Sequence, residues 1–343
     1  MSVNVRMWGT ALRRLVTMED RCDWEELDLV SKWLIATRSA VTTVTIYSCV
    51  IGGLFAFRAG GFVLLPWLVL TLGLFLSHGT NNLLNDLTDF RRGIDTNNYF
   101  RTQYGVHPLV QGFWDKRTQL RWFLVSAALG LASALYALVY TRFDLIVIGL
   151  IVYGTLMLFF YTYPLKYFAL GELTIFVIWG PVIIGGIYYV LVRHWDWNVA
   201  LAGIPFGLST ASINIGKHID KSGEDREKRV TTLPVLLGQT ASRVLNIAVI
   251  VAAYLLIAYL VVVPRFLTPV MAVVLFASPD AIKAISRLAK PRPSVAPAGY
   301  PIWPRWFSTV SFVHNRKFGN LFVLGVVLDT ILRSIPATSS FWR

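Results

Sequence analysis

The sequence predicts an all-α, polytopic membrane protein of about nine transmembrane helices. Its 343 residues are 55% hydrophobic and only 15% charged, whereas a typical soluble domain carries about 25% charged residues. Long apolar stretches recur along the chain, and Lys and Arg residues collect in alternate connections between them. With two cysteines, the composition also excludes a disordered chain and a disulfide-stapled secreted module.

Nine stretches are predicted to cross the bilayer, because a helix needs about 20 apolar residues to do so. The predicted spans are 39–57, 61–84, 122–140, 143–161, 172–192, 197–215, 242–263, 266–285 and 319–335. The last is the weakest, since it is short and contains Asp329. We therefore expect an N-terminal segment over 1–38, a single transmembrane domain over 39–335 and a short outer tail over 336–343.

The basic residues predict the orientation of these spans. Of the 32 Lys and Arg residues, 26 lie in the N-terminal segment and in the connections after the second, fourth, sixth and eighth spans. By the positive-inside rule, this side and the N-terminus face the cytoplasm. The net charge of +13 then reflects topology and attraction to anionic lipid. A nucleic-acid partner is not expected.

The N-terminal segment shows no pattern of a cleavable signal peptide, since six acidic residues lie among its first 30 and no apolar core precedes a cleavage site. Residues 3–17 are interpreted in one of two ways. They form an amphipathic helix at the membrane interface, or they are a frayed tail.

A first polar cluster lies at the predicted cytoplasmic end of the second span. At 100° per residue, Asn82, Asn85, Asp86 and Asp89 fall on one face of a helix, and Asp95 follows. Carboxylates so close together repel one another unless a cation lies between them. Oxygen ligands of this kind favour Mg²⁺, which commonly binds one or two carboxylates together with substrate phosphates.

A second polar cluster follows the sixth span. The residues that share one face if the helix continues past Gly223 are Asn214, Lys217, His218, Lys221 and Asp225, whereas Asp220 points elsewhere. This mixture of charges suits a site for both a metal ion and a phosphate. Each cluster follows the second helix of a four-helix set, which indicates two pseudo-repeated halves plus one helix. The alternative is a pair of solvated loops with capping Asn and Asp residues.

At these residues the chain resembles the UbiA superfamily of intramembrane prenyltransferases, and more narrowly the dihydroxynaphthoate prenyltransferases of menaquinone synthesis. The family's first motif reads approximately N-x-x-N-D-x-x-D-[FY]-x-x-G-x-D. The residues at these positions here are Asn82, Asn85, Asp86, Asp89, Phe90, Gly93 and Asp95. Further stretches that resemble the family are 107–112, 163–173, 179–189 and 225–238.

The second motif departs from the pattern N-x-x-R-D-x-x-x-D of that branch. Lys217 occupies the Arg position and His218 the Asp position that follows it. Asp220 is the nearby carboxylate that can substitute for the missing one. The departure leaves the acceptor and the second set of metal ligands open.

The resemblance implies nine helices around a central cavity and transfer of a prenyl group from a polyprenyl diphosphate to an aromatic acceptor, either dihydroxynaphthoate or a related quinone precursor. It implies Mg²⁺ as cofactor and an active site that faces the cytoplasm. The metal ligands it implies are Asp86, Asp89, Asp220 and Asp225. The substrate-binding residues it implies are Asn82, Asn85, Asn214, Lys166, Lys217, Lys221, Tyr161 and Tyr163. The alternatives are a family member with a non-quinone acceptor, a transporter or a non-catalytic membrane protein.

Overall fold

The computed structural model describes residues 3–18, 20–95, 105–300 and 302–335, and all regular elements in these ranges are helical. The helices are α1 (Val5–Arg13), α2 (Arg21–Glu26), α3 (Leu29–Ala36), α4 (Ser39–Arg58), α5 (Leu64–Arg91), α6 (Lys116–Tyr140), α7 (Leu145–Phe160), α8 (Gly171–Val192), α9 (Trp197–Asp220), α10 (Ser222–Glu227), α11 (Leu233–Leu237), α12 (Gln239–Val262), α13 (Pro269–Leu288) and α14 (Phe307–Ser334).

Each of the nine predicted spans coincides with one long helix of the described residues, α4–α9 or α12–α14. Six of them, α4, α6, α8, α9, α12 and α13, are long and apolar enough to cross a membrane, and α7 is a shorter apolar helix. Helices α5 and α14 have 28 residues each and continue beyond their apolar parts. The prediction of a multi-pass helical membrane protein is confirmed.

The N-terminal residues fold against the rest of the chain, and α1 is a helix rather than a frayed tail. Asn4 caps α1 by accepting a hydrogen bond from the Met7 amide. The Trp8 indole donates to the Asp28 carboxylate over 3.0 Å, and the same carboxylate caps α3 through the Ser31 amide at 2.9 Å. One buried carboxylate therefore joins two short helices, each of which would be marginal alone.

Asp329, the acid inside the ninth predicted span, is satisfied at the end of the bundle away from the polar clusters. It accepts hydrogen bonds from the Arg58 guanidinium at 3.0 Å and from the Thr268 amide at 2.7 Å. The same guanidinium lies 4.0 Å from the centre of the Phe266 ring. A paired and hydrogen-bonded carboxylate of this kind is compatible with a buried position.

Helix α8 contains a π-turn over Ile178–Val182, with Pro181 inside it and Gly180 at φ −91° and ψ −107°. The Ser48 hydroxyl donates to the Trp179 carbonyl at 2.7 Å. Helices α8 and α9 approach closely here, since a Cβ on Gly207 would lie 2.5 Å from the Phe176 carbonyl. Turns of this kind are frequent at functional sites, and this one brings Trp179 to the cavity described below.

Candidate active site

The first polar cluster is the last part of α5, which stays helical to Arg91. Asp86 is fully buried, and its Oδ1 lies 3.1 Å from Nη2 of Arg38. Arg38 has a left-handed φ of 54° between α3 and α4. A non-glycine residue adopts this conformation only where its surroundings hold it there. The sequence interpretation counted Arg38 only as a basic residue of the inner side.

Two further residues join this cluster after α5 ends. Gly93 makes the turn with a φ of 70°, and the buried Asp95 then lies 3.1 Å from Nε2 of His107. One ligand atom from each of Asp86, Asp95 and His107 lies within 4.8 Å of the others, so these residues could hold a metal ion. Neither Asp95 nor His107 was among the predicted site residues. The available signal was the place of Asp95 in the first motif.

Lys166 connects the two clusters. It lies on a short 3₁₀ helix, Leu165–Phe168, and its Nζ donates to Asp89 Oδ2 at 2.8 Å, with both side chains buried. Burial alone would lower the pKa of Lys166, but Asp89, together with Asp225 and Asp95, outweighs it and raises the pKa. Lys166 is therefore a charged ammonium within electrostatic reach of both clusters.

Asp225 is the carboxylate of the second cluster that faces this ammonium. It is 2% exposed, lies 3.2 Å from the Lys221 ammonium and accepts a hydrogen bond from the Thr232 hydroxyl at 3.3 Å. Burial alone would raise its pKa, but the charges of Lys221, His218 and Lys166 lower it overall. Lys166 thus donates a hydrogen bond to Asp89 and lies within electrostatic reach of Asp225.

Asp220 does not take part in this arrangement, and its predicted role as a metal ligand is corrected. Its carboxylate accepts hydrogen bonds from the Phe307 and Ser308 amides at 3.0 and 2.9 Å and from the Ser308 hydroxyl at 2.8 Å. It therefore caps the N-terminus of α14, where a negative charge is favourable. Both carboxylate oxygens are already used by these contacts.

The remaining part of the second cluster contains a buried pair that the sequence interpretation missed. His218 Nδ1 lies 2.5 Å from Glu172 Oε1, which connects α9 to the first turn of α8. Asn214, one turn before His218, is buried, and its Nδ2 has no hydrogen-bond partner among the described residues. Lys217 is partly buried on the same helix. The signals for His218 were its place on the predicted helical face and its departure from the family motif.

The predicted amide and tyrosine residues lie in different surroundings. Asn82 donates to the Thr37 carbonyl at 2.7 Å and so helps to fix the junction before α4. Asn85 is partly buried beside Asp86, and Tyr161 lines the cavity. Tyr163 is 48% exposed with the Arg92 guanidinium 3.8 Å above its ring. It is not among the cavity-lining residues, so its predicted substrate contact is not supported.

A cavity of about 420 Å³ lies between α4, α5, α6, α7 and α8, and its lining on α5 reaches Asn81, next to Asn82 of the first cluster. Its wall is mostly apolar, with a few polar side chains that include Thr45, His78 and Asn81. Two lining residues, Leu131 and Phe159, are also 59% and 48% exposed on the outer surface of the bundle. The cavity therefore has an apolar opening toward the surface that the bilayer covers.

The site thus combines buried carboxylates, a charged lysine and a long apolar cavity. Residues 46–301 match the UbiA prenyltransferase family. The chain belongs to the UbiA prenyltransferase family. As a member it is an integral membrane enzyme of the prenyltransferase class.

Curated relatives of the family confirm this membership. UbiA prenyltransferase domain-containing protein 1 of Rattus norvegicus is 28% identical over 254 residues, which cover 70% of this chain and 73% of that protein. The protein of the same name from Mus musculus is 30% identical over 233 residues, covering 66% of this chain and 67% of that protein. These relatives do not single out the dihydroxynaphthoate branch, so the narrower resemblance stays a prediction.

Solved UbiA structures share the fold. The apo structure of a UbiA homolog from Aeropyrum pernix K1 superimposes with a TM-score of 0.61 at 18% identity, covering 83% of this chain and 97% of that one. A UbiA homolog from Archaeoglobus fulgidus bound to GPP and Mg²⁺ gives a TM-score of 0.50 at 15% identity, covering 84% of this chain and 98% of that one.

Proposed function

We propose that this enzyme transfers a prenyl group from a polyprenyl diphosphate to an aromatic acceptor, either dihydroxynaphthoate or a related quinone precursor, with the help of Mg²⁺. The main observation is that Lys166 donates a hydrogen bond to Asp89 and lies within electrostatic reach of Asp225 and of Tyr161, which lines an apolar cavity. An allylic diphosphate has one highly charged end and one apolar end, and these two parts of the site match them.

The residues present fit a magnesium ion. Asp89 Oδ1 is buried and has no hydrogen-bond partner among the described residues, and Asp86 and Asp95 offer oxygen atoms close together. We propose that Asp86, Asp89, Asp95 and Asp225 hold the metal, directly or through water. Mg²⁺ held by these residues would supply positive charge that stabilises the diphosphate as a leaving group. The Archaeoglobus homolog with GPP and Mg²⁺ supports this cofactor.

The basic side chains of the site would bind the diphosphate. Lys166 and Lys221 each lie within 3.2 Å of a carboxylate of the site, and Arg38 lies 3.1 Å from Asp86. Charged donors of this kind form short, strong hydrogen bonds to phosphate oxygens. We propose that Asn82 and Asn85 on α5 and Asn214 and Lys217 on α9 orient the phosphate groups.

The cavity would hold the prenyl chain and the cation that forms when the allylic carbon loses diphosphate. Aromatic faces attract cations, and Tyr161 and Trp179 both line the cavity. Its apolar wall excludes water, which would otherwise capture the cation. The remainder of a long chain would extend through the opening beside Leu131 and Phe159 into the bilayer.

A transferase of the same family with a non-quinone acceptor is the second candidate. Lys217 and His218 stand where the dihydroxynaphthoate branch has Arg and Asp, and this difference lies beside the proposed diphosphate site. The acceptor therefore has to be identified by experiment.

A panel of acceptors tests the proposed function. Purified enzyme in lipid would be incubated with labelled geranylgeranyl or farnesyl diphosphate, Mg²⁺ and, in turn, dihydroxynaphthoate, 4-hydroxybenzoate and a glycerol phosphate. We expect a labelled, extractable product with an aromatic acceptor. Product with the glycerol phosphate alone would support the second candidate, and no product with any acceptor would reject the proposed function.

A further inference from the structure

His78 lies in the wall of the cavity and is not used by the proposed handling of the diphosphate. It is on α5, one turn before Asn82, and is partly buried in an otherwise apolar span. A polar side chain inside a membrane span is unfavourable unless it has partners or a function. Its hydrogen bonds therefore indicate what it does.

A chain of hydrogen bonds defines which ring nitrogen of His78 carries the hydrogen. The Trp179 indole N–H donates to Thr45 Oγ1 at 2.8 Å, and an indole nitrogen acts only as a donor. Thr45 Oγ1 also lies 2.8 Å from His78 Nδ1. Thr45 is buried, and the described residues offer its hydroxyl hydrogen no other acceptor. The Thr45 hydroxyl therefore donates to Nδ1, and neutral His78 carries its hydrogen on Nε2.

The Nε2–H group of His78 can donate a hydrogen bond to a ligand in the cavity that His78 lines. The structure shows no hydrogen-bond partner for Nε2 among the described residues. The Trp179 ring lies 4.8 Å from the imidazole ring, and Trp179 is positioned by the π-turn of α8. Thr45 on α4 and Trp179 on α8 therefore hold the imidazole in one orientation and one tautomer.

The position of His78 along α5 separates it from the diphosphate. Asp86 follows His78 by eight positions on α5, which corresponds to about 12 Å along the helix axis at about 1.5 Å per residue. A diphosphate held at Asp86 and Asp89 would not reach His78. A group that lies beside the prenyl carbon, farther into the cavity, would.

We propose that His78 is an acceptor-binding residue that donates a hydrogen bond from Nε2 to an oxygen atom of the prenyl acceptor. This inference rests on the proposed function and narrows it. The acceptor carries a hydroxyl, carbonyl or carboxylate oxygen that enters the apolar cavity, and the hydrogen bond to His78 orients its ring toward the prenyl carbon. A purely hydrocarbon ring would leave the buried N–H group unpaired, which is costly.

The test separates binding of the acceptor from binding of the donor. The steady-state KM for each substrate would be measured for the wild type, H78F, which keeps a ring without the N–H, and H78Q, which restores an amide donor. The matched control is H194F, because His194 is exposed in the connection between α8 and α9. T45V removes the hydroxyl that sets the tautomer.

We expect H78F to raise the acceptor KM about tenfold, as the loss of one buried hydrogen bond implies, with the donor KM changed less than about twofold. The acceptor KM of H78Q should lie between those of H78F and the wild type. T45V should raise the acceptor KM less than H78F does, and H194F should keep the wild-type KM. An unchanged acceptor KM in a folded, active H78F would overturn the inference and leave the proposed function intact. No transfer by the wild type with any acceptor would overturn both.

Discussion

Replacing Lys166 by methionine should sharply reduce prenyl transfer, because the substitution removes an ammonium that is bonded to Asp89 and lies within electrostatic reach of Asp225. Nζ of Lys166 donates to Asp89 over 2.8 Å, and neither side chain is more than 7% exposed. Its raised pKa, which Asp89 and its neighbours maintain against burial, keeps it charged at neutral pH. Methionine has a similar length and offers no charge and no donor.

The expected decrease in kcat/KM follows from the loss of the proposed hydrogen bond between Lys166 and the diphosphate. A hydrogen bond to a charged group contributes about 1.5–3 kcal/mol, and about 1.4 kcal/mol corresponds to a factor of ten in rate. We therefore expect kcat/KM for the prenyl diphosphate to fall about 10- to 150-fold in K166M. K166R, which retains the charge, should lose less. K290M is the matched control, because Lys290 is exposed and lies outside the site.

The assay is the rate of labelled product formation at varied donor concentration, with a thermal melt of each variant to confirm folding. Breaking a buried ion pair can cost about 3–5 kcal/mol of stability, so K166M is compared with the wild type at a temperature where both are folded. If folded K166M showed the kcat/KM of the wild type, Lys166 would not act on the diphosphate and the reasoning would be wrong.

Asp220→Ala should lower the free energy of unfolding by about 1–2 kcal/mol, as expected for a lost helix cap, while its kcat at a permissive temperature stays near the wild-type value. Loss of catalysis without loss of stability would restore Asp220 as a metal ligand. The pKa of Asp225 is lowered in the folded protein, so its ionisation stabilises the fold above the normal aspartate pKa of about 3.9, and this contribution is lost as the pH falls further. Thermal melts from pH 7 to pH 3 should therefore show a smaller acid-induced loss of stability in D225N than in the wild type. Parallel stability curves for the two proteins would contradict the assignment. Cys22 is exposed and Cys49 is buried, so a membrane-impermeant maleimide should label Cys22 only after right-side-out vesicles are opened; labelling of intact vesicles would place the N-terminus outside.

The parts of the structure that the sequence predicted are those determined by local patterns. The spans were predicted well because apolar length is set by the thickness of the bilayer. Asp86 and Asp89 were placed together because α5 is continuous through both, so a helical period decides which residues share a face. Asp89 and Asp225 are 136 positions apart, and they were expected at one site because each follows the second helix of a four-helix set.

The parts that were missed depend on contacts between distant segments. Asp220 was taken for a metal ligand because its partners, the amides at the start of α14, lie 87 residues away along the chain. Nothing in the local pattern distinguishes a capping carboxylate from a metal-binding one. His78 was missed for a related reason, since its role depends on Thr45 and Trp179 from two other helices.

The dependence of prenyl transfer on Mg²⁺ tests the central proposal most directly. The rate of labelled product formation would be titrated with Mg²⁺ for the wild type, Asp86→Asn and Asp23→Asn, where Asp23 is an exposed control. We predict that EDTA abolishes transfer by the wild type, that Asp86→Asn is inactive or requires far more Mg²⁺, and that Asp23→Asn behaves as the wild type. Transfer that persists in EDTA, or an unchanged Mg²⁺ dependence in Asp86→Asn, would contradict a magnesium site at the end of α5.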